Sequence, residues 1–257
     1  MISPKYHQAA VKLAAAIYQP TGGHVRQCIQ RFGLPSSQVE IISGNGPLCE
    51  RALVVPINRV AYLIWRGTVN WPQWRSNLNA AQRPMKTMGT DGFAVHAGFD
   101  DGLAETYGHA LESLRTYARL GYDIVIGGHS RGAGMATDAY QLLDRDGVAV
   151  TEAHLFGAPR DLNLPAARTF DQLAKGSCFR WVANNDTVCR VPFRWMGYRH
   201  VGTEMYFDSA DKLHVDPSLM VKLRGQYLGR KKGGIFDGVS DHSYVGEYVR
   251  LIGSLDF

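Results

Sequence analysis

Serine is a weak nucleophile near neutral pH, so what surrounds a serine matters more than the serine itself. Ser130 stands in Gly128-His129-Ser130-Arg131-Gly132, a G-x-S-x-G pattern. With 28 glycines in the chain, such a pattern arises easily by chance, and its context decides its meaning. An apolar strand-like run, 123–126, precedes it through Gly127-Gly128, and a helical stretch, 131–143, follows. A tight strand-to-helix turn there would lift the Ser130 hydroxyl above the sheet edge and aim the first helical N–H groups at it. The chemistry this allows is acyl transfer through a serine ester.

That chemistry needs a base for the serine and an acid that orients the base. In turns of this kind the chain order is serine, acid, histidine. Four histidines follow Ser130: His154, His200, His214 and His242. His154 sits in an apolar strand ahead of the good acid candidates and suits a core role. His200 and His214 stay open, while His242 falls on a loop just before the last helix. For the acid, Asp161 and Asp186 each follow a strand, with Asp186 favoured by about two to one because a polar turn follows its strand. A developing oxyanion needs two donors. One is the backbone N–H of Arg131; the candidate for the other is Thr68, where the apolar run 60–65 ends in Arg66-Gly67-Thr68, although as an ordinary strand-ending turn that segment alone would carry no function about two times in three.

The elements that must position these residues alternate. Residues 52–57 and 59–65 are β-rich runs around Asn58, and 101–121 shows helical periodicity closed by Gly121. Strands at 153–156, 178–183 and 200–207 and helices at 165–174 and 243–252 continue the pattern. The expectation is an α/β protein with a mostly parallel sheet covered by helices on both faces. No linker-like stretch divides the chain, so one domain over residues 1–257 is expected.

Composition removes several classes of function. The chain has 257 residues, 45% hydrophobic and 20% charged, with a net charge of +5, which fits a globular domain and argues against disorder. The basic excess is mild and scattered, so nucleic acid is not an expected partner. The longest apolar runs are far shorter than the ~20 residues of a membrane span. There is no Walker or H-E-x-x-H pattern and no C-x-x-C, so neither cofactor nor metal is expected. Cys28, Cys49, Cys178 and Cys189 suit isolated reduced thiols. Lys12 interrupts the first apolar stretch, which suits an amphipathic helix rather than a leader, so a cytoplasmic location is expected, with leaderless export as the alternative. Asn185-Asp186-Thr187 is a glycosylation sequon, for which modification is not expected.

From about residue 50 to about residue 250 the chain resembles the class 3 lipases, the α/β-hydrolase lineage of the fungal triacylglycerol lipases. Eight ordered pieces carry the resemblance. Trp65-Arg66-Gly67-Thr68 is similar to the aromatic-R-G-[ST] oxyanion loop, and Trp74-Arg75-Ser76-Asn77-Leu78 to the segment after it. Val95-His96-Ala97-Gly98-Phe99 resembles V-H-x-G-F. The elbow departs from the family's G-H-S-L-G at Arg131, which puts a cation beside the acyl site. Phe156-Gly157-Ala158-Pro159-Arg160 resembles F-G-x-P-R, and the run from Val182 to Pro192 resembles the family's acid segment. Tyr198-Arg199-His200-Val201-Gly202-Thr203-Glu204 is similar to a structural strand motif, and Asp241-His242-Ser243-Tyr244 to the histidine segment.

The resemblance implies an α/β-hydrolase fold, a Ser130–His242–Asp186 triad with Thr68 and Arg131 at the oxyanion, and hydrolysis of a lipid ester, either triacylglycerol or phospholipid. An acyltransferase with the same triad, or a catalytically silent binding module on the same fold, are the alternatives. Residues 69–93, with Trp71, Trp74, Met85, Met88 and Phe93 and possible hinges at Gly89 and Gly92, lie where the family carries a lid; a packed surface excursion is the equal alternative. In 208–240, Leu219, Met220, Leu223, Tyr227 and Leu228 share a helical face, with Lys222, Arg224, Arg230, Lys231 and Lys232 supplying charge. A solvated helix is the ordinary meaning of such a stretch, and peripheral contact with an anionic lipid surface the alternative. Oligomeric state has no signature in the sequence.

Overall fold

A computed structural model describes residues 4–68, 82–85, 93–233 and 245–255; for 226 and 229–233 it describes the backbone alone. Ten strands carry the fold: β1 (Glu40–Ser43), β2 (Arg51–Ile57), β3 (Val60–Trp65), β4 (Gln82–Pro84), β5 (Ala94–His96), β6 (Asp123–His129), β7 (Glu152–Phe156), β8 (Cys178–Ala183), β9 (Thr203–Phe207) and β10 (Leu213–Val215). Eight of them form one sheet in the order β1-β2-β3-β6-β7-β8-β9-β10, and β4 pairs with β5 apart from it. The central pairings β3–β6, β6–β7, β7–β8 and β8–β9 are parallel, and the flanking ones antiparallel. This is the mostly parallel sheet expected from the alternating pattern.

The helices are α1 (His7–Ala16), α2 (Gly22–Arg31), α3 (Ala97–Ala104), α4 (Tyr107–Arg119), α5 (Arg131–Arg145), α6 (Leu164–Leu173), α7 (Leu219–Gly233) and α8 (Val245–Gly253). Side-chain alternation divides the core. Ala61, Leu63 and Trp65 of β3 face α3 to α6, with Phe99, Leu114, Met135 and Phe170, while Tyr62 and Ile64 face α1, α2 and α8, with Leu13, Ile29 and Tyr248. Both faces are thereby covered. Every position from Gly132 to Leu143 of α5 is buried, so this helix is enclosed between the sheet and its neighbours.

Three expectations change for physical reasons. Arg59 leaves the second strand because Asn58 and Arg59 both take positive φ (48° and 66°), which makes a two-residue hairpin turn pairing Ile57 with Val60. Gly127 and Gly128 belong to β6 rather than following it, since they pair with Ile64 and Trp65 on one side and His154 and Leu155 on the other. The helix expected over 101–121 is two helices. Thr106 is fully buried, where it accepts the Trp65 indole N–H at 3.0 Å, and the Glu105 carboxylate accepts the backbone N–H groups of Leu48 and Glu50 at 2.9 and 3.0 Å. Those distant partners break the helix at Glu105-Thr106, although the apolar periodicity runs straight through it.

Candidate active site

Ser130 lies between β6 and α5 with φ 59° and ψ −126°, a left-handed φ that a side-chain-bearing residue adopts only under constraint. The constraint is packing. A Cβ on Gly132 would lie 2.2 Å from the Trp65 carbonyl oxygen, and one on Gly128 would lie 2.4 Å from the Gly132 carbonyl carbon. Only glycine at both places lets helix, elbow and β3 come together. The Ser130 N–H donates to the Phe156 carbonyl at 2.9 Å, which ties the turn to β7. Arg131 opens α5, so its N–H is among the helix donors without an intrahelical acceptor, at the positive end of the helix dipole.

The loop after β3 is pressed against this turn. A Cβ on Gly67 would lie 2.5 Å from the His129 carbonyl oxygen and 3.1 Å from Ser130 Cβ. Thr68 follows directly, and its Oγ1 is buried and meets no hydrogen-bond partner among the described residues. A buried hydroxyl without a partner is costly unless something else uses it. Tyr18, which sequence reasoning missed, braces both pieces: its hydroxyl is 2.9 Å from His129 Nδ1, and it lies against Gly67. It comes from the turn after α1, more than a hundred residues from the elbow, and no local pattern marks it.

The cation at Arg131 is neutralised. Its guanidinium forms an ion pair with buried Glu50 and donates to the Gly98 carbonyl at 2.8 Å. The side chain therefore clamps the start of α5 to the entry of β2 and the first turn of α3, while the backbone N–H is unaffected.

Asp186 follows β8 after the turn Asn184-Asn185 and is 1% exposed. Oδ1 accepts the Val188 N–H at 2.9 Å, and Oδ2 accepts the Tyr248 hydroxyl at 2.6 Å. Tyr248, on α8, is fully buried; burial, with the Asp186 charge beside it, pushes its pKa far up, so it stays a donor. Tyr248 too was missed, because on the sequence it is one more apolar-face residue of the last helix. His242, with Asp241, Ser243 and Tyr244, lies outside the described residues.

The alternatives for base and acid are occupied elsewhere. His154 Nε2 lies 3.1 Å from Glu152, and its Nδ1 accepts the Trp181 indole N–H at 3.3 Å, a core role. His200 Nε2 donates to the Cys189 carbonyl at 2.6 Å, and burial, with Arg180 and Arg160 nearby, holds its pKa well below the ordinary histidine range. His214 pairs with Asp208 at the sheet edge. Asp161 is 3% exposed, accepts the His96 N–H at 2.9 Å and faces Asp138 of α5.

Of the proposed lid, Trp71, Trp74, Met88, Gly89 and Gly92 lie outside the described residues. Met85 is buried in the core, Phe93 packs against it, and Arg83 of β4 ion-pairs with Asp100 and Asp101 of α3 at 2.7 Å each. On α7, Leu219, Met220, Leu223, Tyr227 and Leu228 are all exposed, as are Phe193 and Trp195, which stack on each other. The side chains of Arg230, Lys231 and Lys232 lie outside the description. All four cysteines are free thiols. Among the described residues no cluster of His, Cys, Asp and Glu could hold a metal, and no helix is long and apolar enough to cross a membrane.

The family model described as Lipase (class 3) matches residues 62–196, a span that carries both the elbow and Asp186. The chain belongs to the class 3 lipase family. A secreted mono- and diacylglycerol lipase of Fusarium solani is 31% identical over 145 residues, 56% of this chain and 42% of that protein. The aligned stretch thus spans less than half of that relative's length. Among solved structures, the mono- and diacylglycerol lipase of Aspergillus oryzae superposes with a TM-score of 0.72 at 21% identity, covering 95% of this chain and 97% of that one. A triacylglycerol lipase described as having a serine protease triad as its catalytic centre superposes with a TM-score of 0.65 at 21% identity, over 83% and 82% of the two chains. These neighbours establish the α/β-hydrolase fold.

The expected cytoplasmic location is corrected by the same comparison. The Fusarium relative of this chain is a secreted protein, which points outside the cell. An amphipathic first helix explains residues of the folded domain and carries no information about destination. For an exported chain the sequon at Asn185 becomes relevant, but Asn185 is 5% exposed and its Oδ1 faces Arg190 at 3.5 Å, so the folded protein does not present it.

Proposed function

We propose that this class 3 lipase hydrolyses lipid esters through Ser130, His242 and Asp186, with Thr68 and the Arg131 N–H holding the oxyanion, and that the whole chain works as one catalytic domain. The observation that carries the proposal is Ser130 at φ 59° on the elbow, with the Gly67-Thr68 loop packed against it. His242 takes the Ser130 proton as Oγ attacks the ester carbonyl. Negative charge moves onto the carbonyl oxygen, where the Arg131 N–H and Thr68 donate to it. The imidazolium returns its proton to the leaving alcohol, and the acyl group stays on Ser130. Water, deprotonated by His242, then releases the acid and restores the serine.

Two features support the roles beyond the elbow. The Thr68 hydroxyl is buried with no competing acceptor among the described residues. Tyr248 anchors α8 to Asp186, and His242 precedes the first residue of α8 by three positions, a tether of at most about 10 Å. The exposed apolar side chains of α7 and the Phe193–Trp195 pair suit contact with a lipid surface. Mono- and diacylglycerols are the first substrates to offer, after the Fusarium and Aspergillus proteins.

The test is labelling with an alkyl fluorophosphonate together with hydrolysis of nitrophenyl esters and partial glycerides. The wild-type chain labels at Ser130 and turns over, Ser130→Ala does neither, and His242→Ala loses labelling. Labelling that survives in Ser130→Ala, or folded wild-type protein that neither labels nor hydrolyses, overturns the reading.

A further inference from the structure

Beside Asp186 the structure holds a cavity of about 230 Å³, below the usual size for drug-like ligands and suited to something much smaller. Arg160, Arg180, Arg190 and Lys222 line it, against the carboxylates of Glu204 and Asp186. These six groups sum to +2. Glu204 accepts Lys222 at 2.8 Å and Arg180 at 3.2 Å, and although burial alone would raise its pKa, those two cations hold it below the ordinary range. One carboxylate thus serves two cations.

The other two arginines have no carboxylate partner among the described residues. Arg160 donates to the carbonyl oxygens of Arg190 and Pro192, and Arg190 reaches only the Asn185 side-chain oxygen at 3.5 Å. Burial and the neighbouring charges of Arg180, Arg194 and Arg199 push the Arg160 pKa down, so the cations crowd one another. Arg180 is 6% exposed, and its Nε meets no acceptor among the described residues. His200, also on the wall, has its pKa held well below the ordinary histidine range by burial first and then by Arg180 and Arg160, and adds a polar ring. Crowded, partly buried guanidinium groups with spare donors are costly unless an anion comes to them, and planar forks of N–H donors match tetrahedral oxyanions well.

We propose that this cavity binds a phosphate group, as the dianion its charge excess calls for. At the start of α7, Leu219 and Lys222 line the cavity, and Leu219 is itself exposed next to Met220 and Leu223. A phosphate could come from solution or as the headgroup of an anionic lipid whose chains meet that apolar helix. The site does not depend on the ester-hydrolase reading.

The test is titration calorimetry of the full chain with inorganic phosphate at neutral pH, with acetate as the monovalent comparison. Saturable binding of phosphate, tighter than acetate, is expected. Lys222→Met and Arg190→Gln should each weaken it by about tenfold, and Lys212→Met, an exposed lysine off the cavity wall, should leave it unchanged. Glu204→Gln should tighten it several-fold, an outcome that misfolding cannot imitate. Phosphatidylcholine vesicles with and without phosphatidic acid separate the sources: capture by phosphatidic acid that free phosphate competes away assigns the headgroup, and phosphate binding without vesicle preference assigns the soluble ion. Absence of saturable phosphate binding to the folded chain, an equal affinity for acetate, or indifference to all the cavity variants overturns the proposal.

Discussion

Two aspartates stand one strand apart at the ends of β7 and β8, both almost completely buried, and their surroundings make them opposites. Asp186 meets donors: the Val188 N–H, and the Tyr248 hydroxyl at 2.6 Å. Asp161 meets one donor, the His96 N–H, and then another carboxyl group, Asp138, itself fully buried on α5. Burial pushes the Asp161 pKa up to about 7, and burial with the Asp161 charge pushes that of Asp138 well above the carboxylate range. The pair must hold a proton between its members, because two bare carboxylates cannot share so dry a space. Burial alone therefore does not make a carboxylate useful as the acid of a triad. Donors aimed at its oxygens do.

The sharpest break of that comparison is exchange of each acid for its amide. Asp186→Asn should lower kcat by about 10⁴-fold in ester hydrolysis, since the amide favours the wrong imidazole tautomer. Asp161→Asn should leave turnover nearly unchanged. Comparable losses in the two variants would erase the distinction.

Removing one donor is the next step down. Tyr248→Phe should reduce kcat/KM by about tenfold, as expected for one hydrogen bond to a charged group. Tyr248 is a positioning residue, so the pH profile is the second readout. With less of its charge absorbed by the tyrosine, Asp186 should make the histidine more basic and move the acid limb of kcat/KM to higher pH. A lower rate on an unmoved limb would reduce Tyr248 to packing.

The smallest effect is on stability. Acids whose pKa is raised by folding favour the folded state most below their unfolded pKa near 3.8, and that contribution is lost as pH rises through about 7 and beyond. Asp138→Asn removes one titrating member and can offer Asp161 a donor. Its melting temperature should exceed the wild-type value at pH 8 by several degrees, at about 2–4 °C per kcal/mol for a chain of this size. The gap should shrink towards pH 4. A gap that is constant across pH would mean that Asp138 and Asp161 do not share a proton.

Much of the site was legible because its pieces are local. The elbow needs a strand, glycines and a helix in immediate succession, and 123–143 carries all of them in order. Asp186 was favoured over Asp161 because a polar turn follows its strand, and its Val188 and Tyr248 donors fit that preference. What was not legible came from contacts distant in sequence. Thr106 splits a helix because Trp65 reaches it, the Arg131 guanidinium is paired by Glu50, and Tyr18 and Tyr248 arrive from the two ends of the chain. The long helix over 101–121 failed for this reason: periodicity records which face is apolar, not where a buried hydroxyl finds its partner.

By itself, then, the sequence determined the alternation of strands and helices, the parallel sheet, the strand-to-helix turn at Ser130 and the turn at Gly67-Thr68 that ends β3, since these follow from side-chain periodicity and from glycine spacing over a few residues. Only the tertiary structure decided which buried acid is surrounded by donors and which by another acid, that the extra cation of the elbow is neutralised, and that four cations gather around one small cavity. The physical reason is common to all three. Electrostatic energies inside a protein depend on distances between groups far apart along the chain and on the water removed between them, and neither quantity is written in local order.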